Sequence, residues 1–267
     1  MRIAQILLPS ASEYERKCQR VDFAALSAAG HEVSVTSPEE ARGDVAHVYA
    51  SAELPRASFV RFPIPYISSA DVQRSRWRRV VAPSRIVSPI DEREPLPEAV
   101  EAHYFGDRSN REPADDVKRI GSFARPRLHN LVEQTVARIH RFRGDITWTL
   151  FDHVPSPADL RSMDLWVDPA VDEHDFDGFV AEAVASGTLA CGAKTRINLL
   201  RLEQGRTGLL VPPNDPNEMT HAILGALFKP EVAQSRLEAA RQTASKFRTR
   251  QRLRILVQLY ESVIRST

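Results

Sequence analysis

The chain has 267 residues, of which 42% are hydrophobic and 27% charged, with a formal net charge of +1. Near-balanced charge excludes a generally nucleic-acid-binding surface, so no nucleic-acid partner is expected and any basic function must be local. The two cysteines, Cys18 and Cys191, lie too far apart in sequence for a metal-ligand spacing or a disulfide framework.

Residues 2–9 (RIAQILLP) read as a buried strand that Pro9 ends. Too short for a signal peptide and lacking a cleavage site, this start fits a reduced, cytoplasmic setting. No apolar run reaches the roughly eighteen residues of a membrane span. Residues 15–29 follow as a helix with Cys18, Val21, Phe23, Ala24 and Leu26 on its apolar side, and Gly30 stands where a helix C-cap belongs. The strand 31–36 completes one βαβ unit. Further strands are expected at 45–49, 59–62, 80–82 and 100–104, with short or missing helices between them. This half is abbreviated. The polar, proline-containing stretch 107–116 is the best linker.

Beyond it, strands are expected at 117–123, 146–151 and 165–167, with helices at 128–143 and 157–162. An acid-rich turn, Asp172-Glu173-His174-Asp175-Phe176-Asp177, leads into a helix carrying Phe179, Val180, Ala183 and Val184 at helical spacing. Gly187, a strand at 189–191, a second helix and the strand-and-turn run Thr207-Gly208-Leu209-Leu210-Val211-Pro212-Pro213 come next. Pro216 suits the first position of the helix 217–228, and Lys229-Pro230 breaks it. A long helical tail runs from 231 to 264, interrupted near 247–249. The alternation predicts an α/β fold with two Rossmann-like domains: an abbreviated one at 1–108, a second at 109–250, and a tail helix at 251–267 packing back toward the first.

Several of these residues resemble retaining glycosyltransferases of the GT-B fold, the group that includes sucrose synthase. The match lies in Pro169-Ala170-Val171-Asp172-Glu173, in Phe176, in Glu182-Ala183, in Ser186-Gly187-Thr188 and in Gly205-Arg206-Thr207-Gly208-Leu209-Leu210-Val211-Pro212-Pro213-Asn214-Asp215-Pro216. Gly30-His31-Glu32-Val33 and Asp44-Val45-Ala46-His47-Val48 are similar to the family's amino-terminal domain. The resemblance implies transfer of a sugar from a nucleotide-sugar donor, held by the second domain, to an acceptor held by the first, with no bound metal and no further cofactor. It implies that Glu182 contacts the donor ribose. Its side chain leans back toward the helix start, where Gly178 leaves room for a ligand. Glu173 takes the place of the family's glutamate near the sugar when counted from Pro169, whereas the count back from Glu182 reaches His174. Arg127 falls at the family's diphosphate-binding lysine, Ser122 replaces its arginine, and Arg125 is the substitute. Without the resemblance, Glu182, Arg125 and Arg127 are ordinary surface charges.

The sequence also departs from that pattern. Asp172, Glu173, Asp175 and Asp177 crowd the helix start with negative charge, which repels a diphosphate that backbone N–H groups would otherwise attract. The family's glycine-rich first turn is replaced by Pro9-Ser10-Ala11-Ser12-Glu13, and the acceptor-binding middle of the first domain is cut down around Asp71–Arg79. A non-catalytic relative kept for binding or assembly is therefore the competing reading. Asp175-Phe176-Asp177 reads as helix capping before it reads as a metal motif. The acidic turn could hold a divalent cation through oxygen ligands, although nothing in its spacing demands one. Arg74, Arg76, Arg78 and Arg79 around Trp77 make a basic patch, and Lys246, Arg248, Arg250, Arg252 and Arg254 make another. The latter admits two readings: peripheral membrane contact, or the commoner amphipathic tail packing across the domains. A short first domain exposes surface that a second copy of the chain would cover, so a homodimer is expected.

Overall fold

A computed structural model describes residues 1–7, 13–37, 40–49, 66–68, 85–86, 100–106, 116–171 and 178–265. Two compact units make up the chain: Met1–Ala99 with Phe247–Thr267, and Val100–Lys246. The expected strands at 59–62 and 80–82, nearly all of the linker 107–116, the basic patch around Trp77 and the acidic turn 172–177 with Glu173 lie outside the described residues.

In the first unit, β1 (Arg2–Leu7), α1 (Glu13–Ala28), β2 (Glu32–Val35) and β3 (Val45–Tyr49) follow the apolar patterning closely. Gly30, at φ +84°, closes α1 in the left-handed region that favours glycine. Two short strands, β4 (Tyr66–Ser68) and β5 (Arg85–Ile86), extend a parallel sheet of order β2-β1-β3-β4-β5. The strand expected at 100–104, which falls at the start of the second unit, is corrected. Val100 makes an isolated bridge, and Ala102–Tyr104 forms a 3-10 turn in which the Tyr104 N–H donates to the Glu101 carbonyl at 3.1 Å. Tyr104, buried, donates its hydroxyl to the Pro155 carbonyl at 2.7 Å, an anchor that alternation alone does not reveal.

The tail helix α8 (Thr249–Arg265) belongs to the first unit, and its Leu256, Leu259, Tyr260 and Val263 pack with Ile3, Leu26 and Val45. Its apolar face is thus used in a core. A buried polar layer lies beside that core. Arg252 grips Asp22 of α1 through Nε (2.6 Å) and Nη2 (2.7 Å), and the Tyr49 hydroxyl donates to the same carboxylate at 2.9 Å. Gln5 donates to Tyr49 and accepts from Gln19. His47 Nδ1 lies 2.8 Å from the Tyr260 hydroxyl, its ring stacks on Tyr49 at 3.9 Å, and its Nε2 has no partner among the described residues. Burial, opposed by Asp22 and reinforced by Arg252, pushes the His47 imidazole down to about 3, so it is neutral at pH 7.

The second unit contains β6 (Lys118–Phe123), α2 (His129–His140), β7 (Ile146–Phe151), α3 (Pro157–Ser162), β8 (Leu165–Asp168), α4 (Val180–Ala185), β9 (Leu189–Ala193), α5 (Arg196–Arg201), β10 (Leu209–Val211), α6 (Pro216–Phe228) and α7 (Pro230–Thr243). Its strands run parallel in the order β10-β9-β8-β6-β7. The run of residues 207–216 builds structure. Gly208 lets β10 approach its neighbours, since a Cβ there would lie 2.7 Å from the Ala190 carbonyl oxygen. Asp215 caps α6 by accepting from the Asn217 and Glu218 amides at 3.0 Å each, with Pro216 at the first helical position. On one face of the sheet Ile120, Leu165, Val167, Leu189 and Cys191 form a core with Leu131 and Ile139 of α2 and Met219 and Ile223 of α6. Among the described residues, no helix is long and apolar enough to cross a membrane.

Candidate functional site

The strand order of the second unit reverses between β6 and β8. In open α/β sheets the crevice outside the carboxyl ends of two such strands is the usual ligand site. Here those ends are Phe123, followed by Ala124-Arg125-Pro126-Arg127, and Asp168, followed by Pro169. Arg125 precedes a 3-10 turn, Pro126–Leu128, with extended backbone (φ −132°, ψ 118°) that turns its side chain back over the sheet edge.

Asp168 organises this edge. Its Oδ1 accepts from Arg125 Nη2 at 2.5 Å and its Oδ2 accepts from Asn198 Nδ2 at 2.8 Å, with the Asp168 side chain fully buried and that of Arg125 11% exposed. Arg125 Nη2 also donates to the Pro169 carbonyl at 2.6 Å. Asn198, buried in the first turn of α5, in turn accepts from Arg201 Nη1 at 3.4 Å. Two glycines clear the space. A Cβ on Gly178 would collide with the Asp168 carboxyl, and one on Gly192 would lie 2.8 Å from Asn198 Nδ2. Trp166 pins the loop end from the same face of β8, donating Nε1–H to the Gly178 carbonyl at 2.5 Å. Phe179 then adopts φ 53°, a conformation costly for a bulky residue, and its ring meets Phe123 edge-on at 4.9 Å.

The residues expected from the sequence fall into three environments. Glu182 sits on α4, the helix that follows β8, and is 1% exposed among Val180, Ala181, Ala183, Val184 and Ala185, all buried. Arg127 is exposed on the loop after β6. Arg125 and Gly178 come together on Asp168, so the room beside Gly178 holds a carboxylate of the chain itself. Ser122, at the position of the missing family arginine, is buried and accepts from Trp148 Nε1 at 2.7 Å. Among the described residues no group of three or more His, Cys, Asp or Glu side chains could hold a metal ion. Cys191 lies in the core of β9, its thiol pushed up to about 12 by burial and by Asp168.

Sequence alone marks neither Asn198 nor Arg201 as a site residue. One signal was available for Asp168: a charged residue closing an otherwise apolar strand, Leu165-Trp166-Val167, must find a partner.

Two α/β units, each built on a parallel sheet, give the chain a GT-B-like fold, and solved structures agree. The chain is similar to a glycosyltransferase from Rickettsia africae, with 13% identity over 100% of this chain and 99% of that one and a TM-score of 0.72. Similar too is a sucrose-phosphate synthase from Thermosynechococcus elongatus, 13% identical over the full length of both chains, TM-score 0.69. The Anabaena protein HepE, solved in complex with UDP and glucose, is 12% identical over 98% of this chain and 100% of its own, TM-score 0.63. No protein-family model matches the chain, and no curated protein does.

Proposed function

We propose that the chain binds a nucleotide-sugar donor at the carboxyl edge of the β6–β8 crevice and transfers its sugar to an acceptor with retention of configuration. The observation that carries this reading is Glu182. It is the one charged residue of α4, buried among apolar neighbours on the helix that follows β8 at the strand-order reversal. A carboxylate accepts hydrogen bonds from hydroxyl donors, and a ribose offers such donors to the helix that follows β8. In this reading Arg127 meets the diphosphate from the exposed loop, Arg125 stands behind it, Gly178 keeps the backbone low at the rim, and Glu173 lies near the sugar. The arginines would offset the negative charge that develops on the leaving diphosphate, which is the role a metal plays elsewhere. The complexes of HepE with UDP, with UDP and glucose and with UDP-glucose support this donor class.

The test separates ribose from phosphate. Glu182→Ala is expected to weaken binding of the preferred nucleoside diphosphate among UDP, ADP and GDP by roughly 10- to 100-fold, the worth of hydrogen bonds to a charged group. Binding of inorganic pyrophosphate should stay unchanged. A variant that binds the nucleoside diphosphate as wild type does removes Glu182 from the site.

A second reading, a non-catalytic relative kept for binding or assembly, is favoured by the internal carboxylate that already holds Arg125. It predicts nucleotide binding without sugar transfer or donor hydrolysis.

A further inference from the structure

We propose that the Arg125–Asp168 pair is a carboxylate latch closed across the β6–β8 crevice, which an incoming diphosphate opens by replacing Asp168 as the partner of Arg125. This rests on the donor reading above and adds a restraint on that site which the donor reading alone does not contain.

The two halves of the latch are built differently. Asp168 is fixed without help from Arg125. Its Oδ2 accepts from Asn198 Nδ2 at 2.8 Å, Asn198 is itself buried and also donates to the Ala193 carbonyl at 3.2 Å, and Gly178 and Gly192 leave room for both side chains. The carboxylate therefore stays in place when its partner leaves. Arg125, by contrast, is a long side chain reaching back from a short turn, and it meets Asp168 Oδ1 and the Pro169 carbonyl through Nη2. A guanidinium presents parallel N–H donors that match two phosphate oxygens at once, so a diphosphate is a better partner than a carboxylate reached through one nitrogen. Charge works in the opposite direction. With Asp168 buried and the Arg125 side chain only 11% exposed, the pair hides its positive half from an approaching anion, and the remaining carboxylate repels it. The latch weakens binding of any anion that cannot take Arg125 outright. It thereby favours a doubly charged, multi-oxygen group over a monoanion.

A latch and an ordinary structural ion pair predict different signs. In the full chain, with UDP, ADP and GDP titrated by calorimetry and thermal midpoints recorded alongside, Asp168→Asn should bind the preferred nucleotide about tenfold more tightly. Arg125→Gln should bind it about tenfold more weakly. If the amide disturbs Asn198 and the variant does not fold, Asp168→Ser removes the same charge and carries the same expectation. A folded Asp168 variant whose affinity falls or does not change, against a wild type that binds, overturns the latch and leaves the donor site standing. Failure of the wild type and every variant to bind any of the three nucleotides overturns the donor reading and the latch with it.

Discussion

His47 makes the first unit sensitive to acid, and the size of the effect follows from where the imidazole sits. In the folded chain burial holds it down to about 3 from an ordinary 6.5. The sign is fixed by that direction. Above pH 6.5 the imidazole is neutral both folded and unfolded and contributes nothing to the pH dependence. Below 6.5 the unfolded chain takes up a proton that the folded chain refuses, so stability falls by about 1.4 kcal/mol per pH unit until pH reaches about 3. The whole interval is worth about 5 kcal/mol, a large part of the stability of an ordinary domain. His47→Gln removes the proton site and keeps a side chain able to hydrogen-bond the Tyr260 hydroxyl. Native-state hydrogen exchange of the β3 amides, Val45–Tyr49, reads the opening of this unit directly. Between pH 6.5 and 4 the wild-type opening free energy should fall faster than that of the variant by about 1.4 kcal/mol per pH unit. Parallel profiles for the two proteins would refute the reasoning, since carboxylates elsewhere act on both alike.

The Asp22–Arg252 pair, with both side chains 2% exposed, should show the asymmetry of a buried ion pair. Asp22→Asn or Arg252→Met alone is expected to cost about 3–5 kcal/mol in denaturant unfolding, because each leaves a lone buried charge, and the double variant, which leaves none, less than the two costs combined. Additive costs would contradict that coupling. Asp215→Ala, which deletes the cap of α6, should cost about 1 kcal/mol while leaving nucleotide affinity unchanged. A loss of affinity there would mean that the run before α6 touches ligand.

Regular elements were legible wherever a side-chain period decided them. Residues 146–151 and 157–162 alternate or cap in ways that set both ends, and β7 and α3 occupy those residues in the structure. The break at Lys229-Pro230 and the interruption of the tail by the 3-10 turn Ala244–Phe247 follow from proline chemistry and a lapse in helical spacing. Residues 100–104 misled because apolar, aromatic composition resembles a strand, while the conformation is set by Tyr104 reaching Pro155, a residue 51 positions away. The tertiary polar contacts were invisible for the same reason. Nothing local says that Asn198 bonds Asp168 across 30 positions, or that Arg252, which reads as one of five basic tail residues, turns inward to Asp22 across 230. The space that Gly178 leaves is something sequence can suggest. That a carboxylate of the chain fills the space is a property of the folded edge alone.

Donor binding by the chain is the central claim. Calorimetric and thermal-shift titrations with UDP, ADP, GDP and their glucose conjugates are predicted to give saturable binding for one base, with the matching nucleotide sugar competing for the same site. No heat and no shift in unfolding temperature with any of these ligands would contradict it.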